Sequence, residues 1–538
     1  MFLLRKIFSE FSPIEKKWFF GALAALFLAL VSGATLGIKE KGVIIPIAGG
    51  SYREGFIGQP IALNPITSNN PIDQEMSSVV FGRLSEFIAA YEASPDGLTY
   101  SIKLKEKLKW SDGQPLTSDD VIFTIRTAQN QQINSPYLKS WQGIGAERGS
   151  EIQIKLTLPT PYAFFGKNIE NLPVIPKHIF GSIPIENFRL SDYNLEPVGS
   201  GPYQYSDFTK RKDGFITQFH FIPNPNYIGS KPYIKNIYFI FFENANDLVQ
   251  AMELHKVNGF GSAVPLGFDV SGLKGFKTDK VPMSDYYAVF FNQNSNPLLK
   301  DAGIRSALIA SIDKNEIIEK ALGGDGVPVD NPGFISYDPA SFGDNSSFNK
   351  DSAVQTIAAF KARNKNEAIN IALTVPDADF LKKTAEIIKN DWLAAGVDQV
   401  NIITFNPSES TDATIKSRDY EMLIFGNILE NPTDIFPFWH SSQKIYPGFN
   451  LALYQNSKTD GIIESVRQTE EEAKQKDLLS QAQKIIANDA PAAFLFSLPY
   501  TYIHSNDLGG LTENFLTNPA NRFMNISDWY VATVKVIK

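Results

Sequence analysis

The amino-acid sequence predicts an α/β protein built in several lobes, carried behind an N-terminal transmembrane helix. Three observations predict it. Stretches with apolar residues at every second position interleave with stretches at helical spacing throughout residues 43–538. The length of 538 residues allows two to four domains at about 150 residues each. One long apolar run without a charge stands near the start.

That run, WFFGALAALFLALVSGATLGI (18–38), is 21 residues long, the length a helix needs to cross a bilayer. Arg5, Lys6, Lys16 and Lys17 precede it, so the positive-inside rule places residues 1–17 in the cytoplasm. A cleaved signal peptide is the rival reading. Both the apolar run and its 17-residue preface exceed the corresponding parts of a signal, so an uncleaved anchor is expected. Residues 1–42 carry a net charge of +3, which leaves −11 on residues 43–538 of a chain whose total is −8. An acidic domain on the extracytoplasmic side, periplasmic or at the cell surface, follows.

The exported part begins with a Gly-, Pro- and Ser-rich stalk (41–60). In YSIKLKEKLKW, Tyr100, Ile102, Leu104, Leu108 and Trp110 occupy even positions, as do Ile152, Ile154, Leu156 and Leu158 in EIQIKLTL. That is the period of half-buried strands. PYIKNIYFIFFE (232–243) and DYYAVFFNQ (285–293) are nearly continuous apolar runs, expected as buried strands. Helices are expected over 301–324, stopped by Gly323-Gly324, and over 377–397 and 469–491, each closed by Gly or Pro. A polar loop covers 336–352.

KWSDGQPLTSDDVIFTIRTA (109–128) concentrates three aspartates beside a glycine turn. Ser111-Asp112-Gly113 carries turn chemistry. Thr117 stands at a helix N-cap with Asp120 three residues later, the spacing of a capping box, and Asp119 meets the positive end of the helix dipole. Neighbours at i,i+1 do not face each other on a helix, so Asp119 and Asp120 are scaffold rather than an acidic active site.

Composition removes several function classes. The chain has no cysteine, hence no disulfide, thiolate metal site, Cys nucleophile or lipoprotein anchor. Its five histidines, His178, His220, His255, His440 and His504, are scattered singly and form no metal-binding motif. No P-loop and no G-x-S-x-G occurs. No basic stripe supports nucleic-acid binding. The chain is therefore read as no enzyme, with no catalytic residues, no metal and no cofactor.

PDGLTYSIKLKEKLKWSDGQPLTSDDVIFTI (95–125) resembles the signature region of the family 5 extracellular solute-binding proteins, the peptide- and nickel-binding receptors of ABC importers. LNP (63–65), LPVIPKHIF (172–180), VGSGPYQY (198–205), NPNYIGSKPYIKNIYF (224–239) and YYAVFFNQNSNPLLKDAGIRSALIASIDKNEII (286–318) resemble further family segments in the right order. The resemblance implies two α/β lobes of the type II periplasmic-binding-protein fold around a cleft, with an extra domain inserted in the first lobe. By similarity the first lobe comprises 43–79, 191–286 and 496–538, the inserted domain 80–190 and the second lobe 287–495. It also implies a receptor that binds di- or oligopeptides in the cleft and passes them to permease subunits. A receptor of this fold for an oligosaccharide or metal chelate, and a surface sensor or chaperone, are the alternatives.

Candidate ligand contacts come from the same resemblance. INSPYLKSW (133–141) brings in Tyr137, FGSAVP (260–265) brings in Gly261 and Ser262, and the aromatic strand brings in Tyr286, Tyr287 and Asn292. The chain departs from its peptide-binding relatives at IFGNILENPTDIFPFWHSS (424–442). Asn427 stands where they have Trp, Asn431-Pro432 replaces Asp-Pro, and the aspartate that pairs with a peptide's α-ammonium falls near Ile428. Glu430 or Asp434 supplies the carboxylate, since an ammonium in a cleft needs an anionic partner, or the site recognises no free amino terminus.

Overall fold

The computed structural model describes residues 11–41, 43–332, 347–407 and 412–536, without the side chains of 31–41. Residues 1–10 of the expected cytoplasmic segment and 336–346 of the expected polar loop lie outside it.

Two large sheets organise residues 43–536. The first has seven strands in the order Phe276–Val281, Tyr500–Ser505, Gly259–Ser262, Ser51–Ile57, Asn236–Phe242, Ile216–Pro223 and Tyr203–Lys210. The second has six, ordered Val327–Pro328, Ala492–Ser497, Asp285–Phe291, Met422–Ile428, Asn370–Pro376 and Gln399–Phe405. A four-stranded sheet (Ile88–Ala93, Thr99–Leu104, Gln153–Thr157, Gly145–Ser150) is inserted between strands of the first. Its core runs without interruption into that of the seven-stranded sheet.

Local physics explains the elements. Tyr100, Ile102 and Leu104 are buried while the residues between them are not. Thr117 caps the helix Ser118–Ala128: its hydroxyl accepts from Asp119 N at 3.3 Å, and Asp120 Oδ2 accepts from Thr117 N at 2.8 Å. In Asp285–Phe291 alternate residues enter different cores, Val289 and Phe291 on one face and Tyr286, Ala288 and Phe290 on the other. Coverage on both faces is what an uninterrupted apolar run requires. Two expectations need correction: the strand Thr99–Leu104 stops short of Leu108 and Trp110, because the chain turns at 106–107. Residues 301–324 form two helices, Ala302–Ala310 and Lys314–Lys320, because Asp313 caps the second by accepting from Asn315 N and Glu316 N. An aspartate at that position competes with continuous helix.

The two large sheets are joined by short crossovers. Val281 ends a strand of the first and Asp285 begins one of the second; Ser497 ends a strand of the second and Tyr500 begins one of the first. The crossovers are tied together, since Asp285 Oδ1 accepts from the Ser497 hydroxyl at 2.6 Å and from Leu498 N at 3.2 Å. The two lobes are thus linked by two short connections that a buried aspartate ties side by side.

The expected anchor coincides with the helix Pro13–Lys41, whose side chains from Trp18 to Leu30 are exposed. Among the described residues, however, no helix is long and apolar enough to cross a membrane. The described side chains of the apolar run cover only 18–30, short of the roughly 20 residues a span needs. Immediately beyond, Val43–Pro46 pairs antiparallel with Thr533–Val536.

Candidate functional site

Three polar side chains from three parts of the chain, Arg83, Tyr137 and Glu430, sense one another's charge. Arg83 precedes the short helix Leu84–Phe87, where Glu86 accepts from Arg83 N at 2.9 Å. Its guanidinium donates to Asn521 Oδ1 at 2.8 Å and to Asn171 Oδ1 at 3.4 Å. Tyr137 precedes the helix Leu138–Trp141 of the inserted region. Glu430 follows the strand Met422–Ile428 of the second sheet.

Electrostatics tie these groups together. Burial is the main cause raising the Glu430 carboxyl, and the Arg83 charge opposes it. The Tyr137 hydroxyl is pushed up by burial first, then by Glu430, with Arg83 pulling the other way. Burial lowers the Arg83 guanidinium, while Tyr137, Glu86 and Glu430 raise it. Glu430 is nevertheless exposed, and Arg83 and Tyr137 are half-buried. Neighbouring groups thus partly desolvate the Glu430 carboxyl although it still reaches solvent. Neither the Glu430 carboxylate nor the Tyr137 hydroxyl is hydrogen-bonded to protein among the described residues, and no ion pair within 4.0 Å joins Glu430 to Arg83.

The other expected contacts lie elsewhere. Asp434 is buried and fully engaged: Arg467 donates to both of its oxygens at 2.9 and 2.7 Å, and Tyr162 donates to Oδ2 at 2.9 Å. It thereby braces the inserted region against the second lobe, reinforced by Ala163 N donating to Arg467 O at 2.7 Å. No lone pair stands ready for an ammonium. Tyr286 is in the core, where its hydroxyl accepts from Asn427 Nδ2 at 2.8 Å and Trp439 Nε1 at 3.1 Å. That engages Asn427 as well. Tyr287 stacks on Phe496 with centroids 5.1 Å apart. Asn292 is buried and donates to Tyr420 O at 2.9 Å and Arg418 O at 3.1 Å.

Gly261 and Ser262 sit at the end of a first-lobe strand. The Ser262 hydroxyl closes a local turn by donating to Val264 O at 2.8 Å. At Gly261 a Cβ would overlap Tyr500 Oη and Arg522 Nη1. Arg522 belongs to a buried cluster in which it meets Glu54 Oε1 at 2.7 Å and Glu75 Oε2 at 2.5 Å, while Tyr52 and Tyr502 donate to Glu54 Oε2 at 2.8 and 3.0 Å. The glycine exists to admit that cluster.

Sequence reasoning did not single out Arg83, Asn521 or Asn171. In FGRLSEF, Arg83 stands at an ordinary helix start, and nothing in the local pattern marks it.

Comparison with known proteins decides the class. Residues 85–445 match the family described as bacterial extracellular solute-binding proteins, family 5 Middle. The chain belongs to this family. Oligopeptide-binding protein AppA of Bacillus subtilis is 22% identical over 546 aligned positions, covering 94% of this chain and 97% of AppA. The structure of B. subtilis AppA in complex with a nonapeptide superposes with a TM-score of 0.73 at 20% identity, covering 91% of this chain and 100% of that one. CtaP of Listeria monocytogenes, an ABC transporter substrate-binding protein, gives a TM-score of 0.75 at 23% identity over 90% of this chain and 99% of its own. The fold is thus the two-lobed α/β periplasmic-binding-protein fold. Proteins of this family are receptors, not enzymes: the cleft has to hold a solute and release it unchanged.

Proposed function

We propose that this family 5 receptor binds peptides at Arg83, Tyr137 and Glu430 and delivers them to the permease of an ABC importer. The observation that carries the reading is the Glu430 carboxylate, exposed, partly desolvated and without a hydrogen-bonded protein partner among the described residues. A peptide's α-ammonium is the natural complement of such a group, because a partly desolvated charge is stabilised by an opposite charge that donates hydrogen bonds. The chain's near-complete coverage of an oligopeptide-binding relative supports the same solute class.

Ligand capture works by hinge closure. A peptide bound to Glu430 on the second lobe and to groups on the first lobe and inserted region stabilises the closed form by its differential affinity for it. The lobes exchange at 282–284 and 498–499, so 43–79 with 191–281 and 500–536 make the first lobe and 285–497 the second, with the inserted region at 80–190. The exposed apolar helix surface at 18–30 supports an anchor over 18–38 that holds the receptor on the extracytoplasmic face near its permease, raising its effective concentration there.

The test is calorimetric titration of the receptor with short peptides and with the same peptides N-acetylated. The wild type discriminates against acetylation, and Glu430→Gln weakens binding of the free peptides by about 1.5–3 kcal/mol, the range for a hydrogen bond to a charged group. The variant also loses the discrimination. Free and acetylated peptides bound equally by the wild type would sink the ammonium role of Glu430. No peptide bound at all would sink the peptide reading.

A further inference from the structure

Between the apolar helix and the first lobe the chain forms a two-stranded ribbon. In the pairing of Val43–Pro46 with Thr533–Val536, Val43 stands opposite Val536, Ile44 opposite Lys535, Ile45 opposite Val534 and Pro46 opposite Thr533. Opposite residues share a face of such a pair, and neighbours along a strand alternate between faces. One face is therefore aliphatic throughout, made of Val43, Ile45, Val534 and Val536. The other carries Ile44 and Pro46 beside Lys535 and Thr533. Val43, Ile44, Ile45, Ile47 and Val534 are all exposed, and among the described residues the ribbon joins no third strand. A two-stranded ribbon is marginally stable by itself in water, and a contiguous bare apolar face marks a contact surface.

Chain length says what it contacts. The apolar run ends at Ile38 and the helix at Lys41. Those last three helical residues rise about 4.5 Å, and the step from Lys41 to Val43 spans at most about 7 Å. Val43 thus stands within about 12 Å of the end of the run, against a headgroup layer roughly 5–8 Å thick on each side of a bilayer. With the run across the membrane, the ribbon begins at the headgroups. Its open edges keep it out of the hydrocarbon, where unpaired backbone groups find no partner. Its aliphatic face suits the boundary between headgroups and acyl chains.

We propose that the ribbon is a lipid-contacting neck, whose face of Val43, Ile45, Val534 and Val536 lies in the interface of the extracytoplasmic leaflet and seats the first lobe on the membrane. The inference rests on the anchor over 18–38 given above. No loose tether follows the ribbon. Ile47 N donates to Ala532 O at 3.0 Å, Gly49 N donates to Tyr233 O at 2.8 Å, and Ser51–Ile57 is already a strand of the seven-stranded sheet. The segment expected as a stalk is folded into the lobe, so seating the ribbon sets the height and tilt of the first lobe over the bilayer.

Because the chain has no cysteine, a single fluorophore can be placed at will. Full-length Val534→Cys, Ile45→Cys and Leu26→Cys, each labelled with an environment-sensitive dye, are reconstituted into phosphatidylcholine vesicles with and without lipids bearing a nitroxide on the acyl chain. Leu26 reports the anchor; Val534 and Ile45 report the same ribbon face from its two strands. Nitroxide lipid should quench all three labels, those on the ribbon about twofold, as fits an apolar face about 5–10 Å deep in the interface, and aqueous iodide should quench none. Lipid quenching at Leu26 with iodide quenching at both ribbon sites overturns the neck and leaves the anchor standing. Ribbon labels shielded from both quenchers would assign the face to a second copy of the chain, which also overturns the inference. Iodide quenching at Leu26 overturns the anchor and the neck together.

Discussion

Asp285 gives the sharpest test of how the hinge is held together. It is buried at the first crossover, its Oδ1 accepts from Ser497 and Leu498 N of the second, and its carboxyl is pushed from 3.8 up to about 7, burial outweighing both hydrogen bonds. The sign follows from linkage. Between those two values the folded chain keeps a proton that the unfolded chain releases, so Asp285 costs nothing below pH 3.8 and progressively more as pH rises to about 7. At 1.36 kcal/mol per pH unit the full cost is about 4 kcal/mol, of which roughly 2.5 falls between about pH 5 and pH 8. Asp285→Asn keeps an oxygen for Ser497 and Leu498 but cannot ionise. Urea unfolding of both proteins across that range cancels every other titrating group in the difference. The variant should gain on the wild type by about 2.5 kcal/mol from the acid to the alkaline end. A difference that does not change with pH would show that Asp285 titrates as an ordinary carboxyl, and burial would not be the governing effect at the hinge.

Two further perturbations address the supports of the two lobes. Asp434→Asn removes the charge that Arg467 and Tyr162 share, and because Arg467 is partly exposed the cost is about 2 kcal/mol, below that of a fully buried pair. Since the contact joins the inserted region to the second lobe, the radius of gyration of the ligand-free receptor should rise in solution scattering; an unchanged value would show that the contact does not hold the lobes. Gly261→Ala places a methyl against Tyr500 and Arg522 and should destabilise the first lobe by about 1–3 kcal/mol, the range for overpacking a filled site. An unchanged melting temperature would mean that the Arg522 cluster yields without cost.

Much of the architecture was legible locally. The capping box at Thr117 and Asp120, the alternation from Tyr100 to Leu104 and the end of the helix Asp379–Ala395 at Gly396 all depend on residues a few positions apart. The aromatic strand was read correctly as buried, but burial on both faces is what takes Tyr286 away from the ligand. Its hydroxyl, which Asn427 and Trp439 use, points into the second lobe's own core. The break between the helices at 302–310 and 314–320 was missed because apolar spacing continues through Asp313, whose capping role competes with that periodicity.

The sequence by itself determined the fold class, the family and the absence of cysteine chemistry, because these rest on composition, on period and on motifs read along one segment. It also brought Glu430 and Asp434 forward together, as two carboxylates in one loop, and could separate them no further. Only the tertiary structure decided between them. Asp434 meets Arg467 and Tyr162 from other segments and is consumed, while Glu430 has no hydrogen-bonded protein partner among the described residues and senses the charge of Arg83. The physical reason is that a charge's role is set by what neutralises it, and here every deciding partner lies far away in the chain.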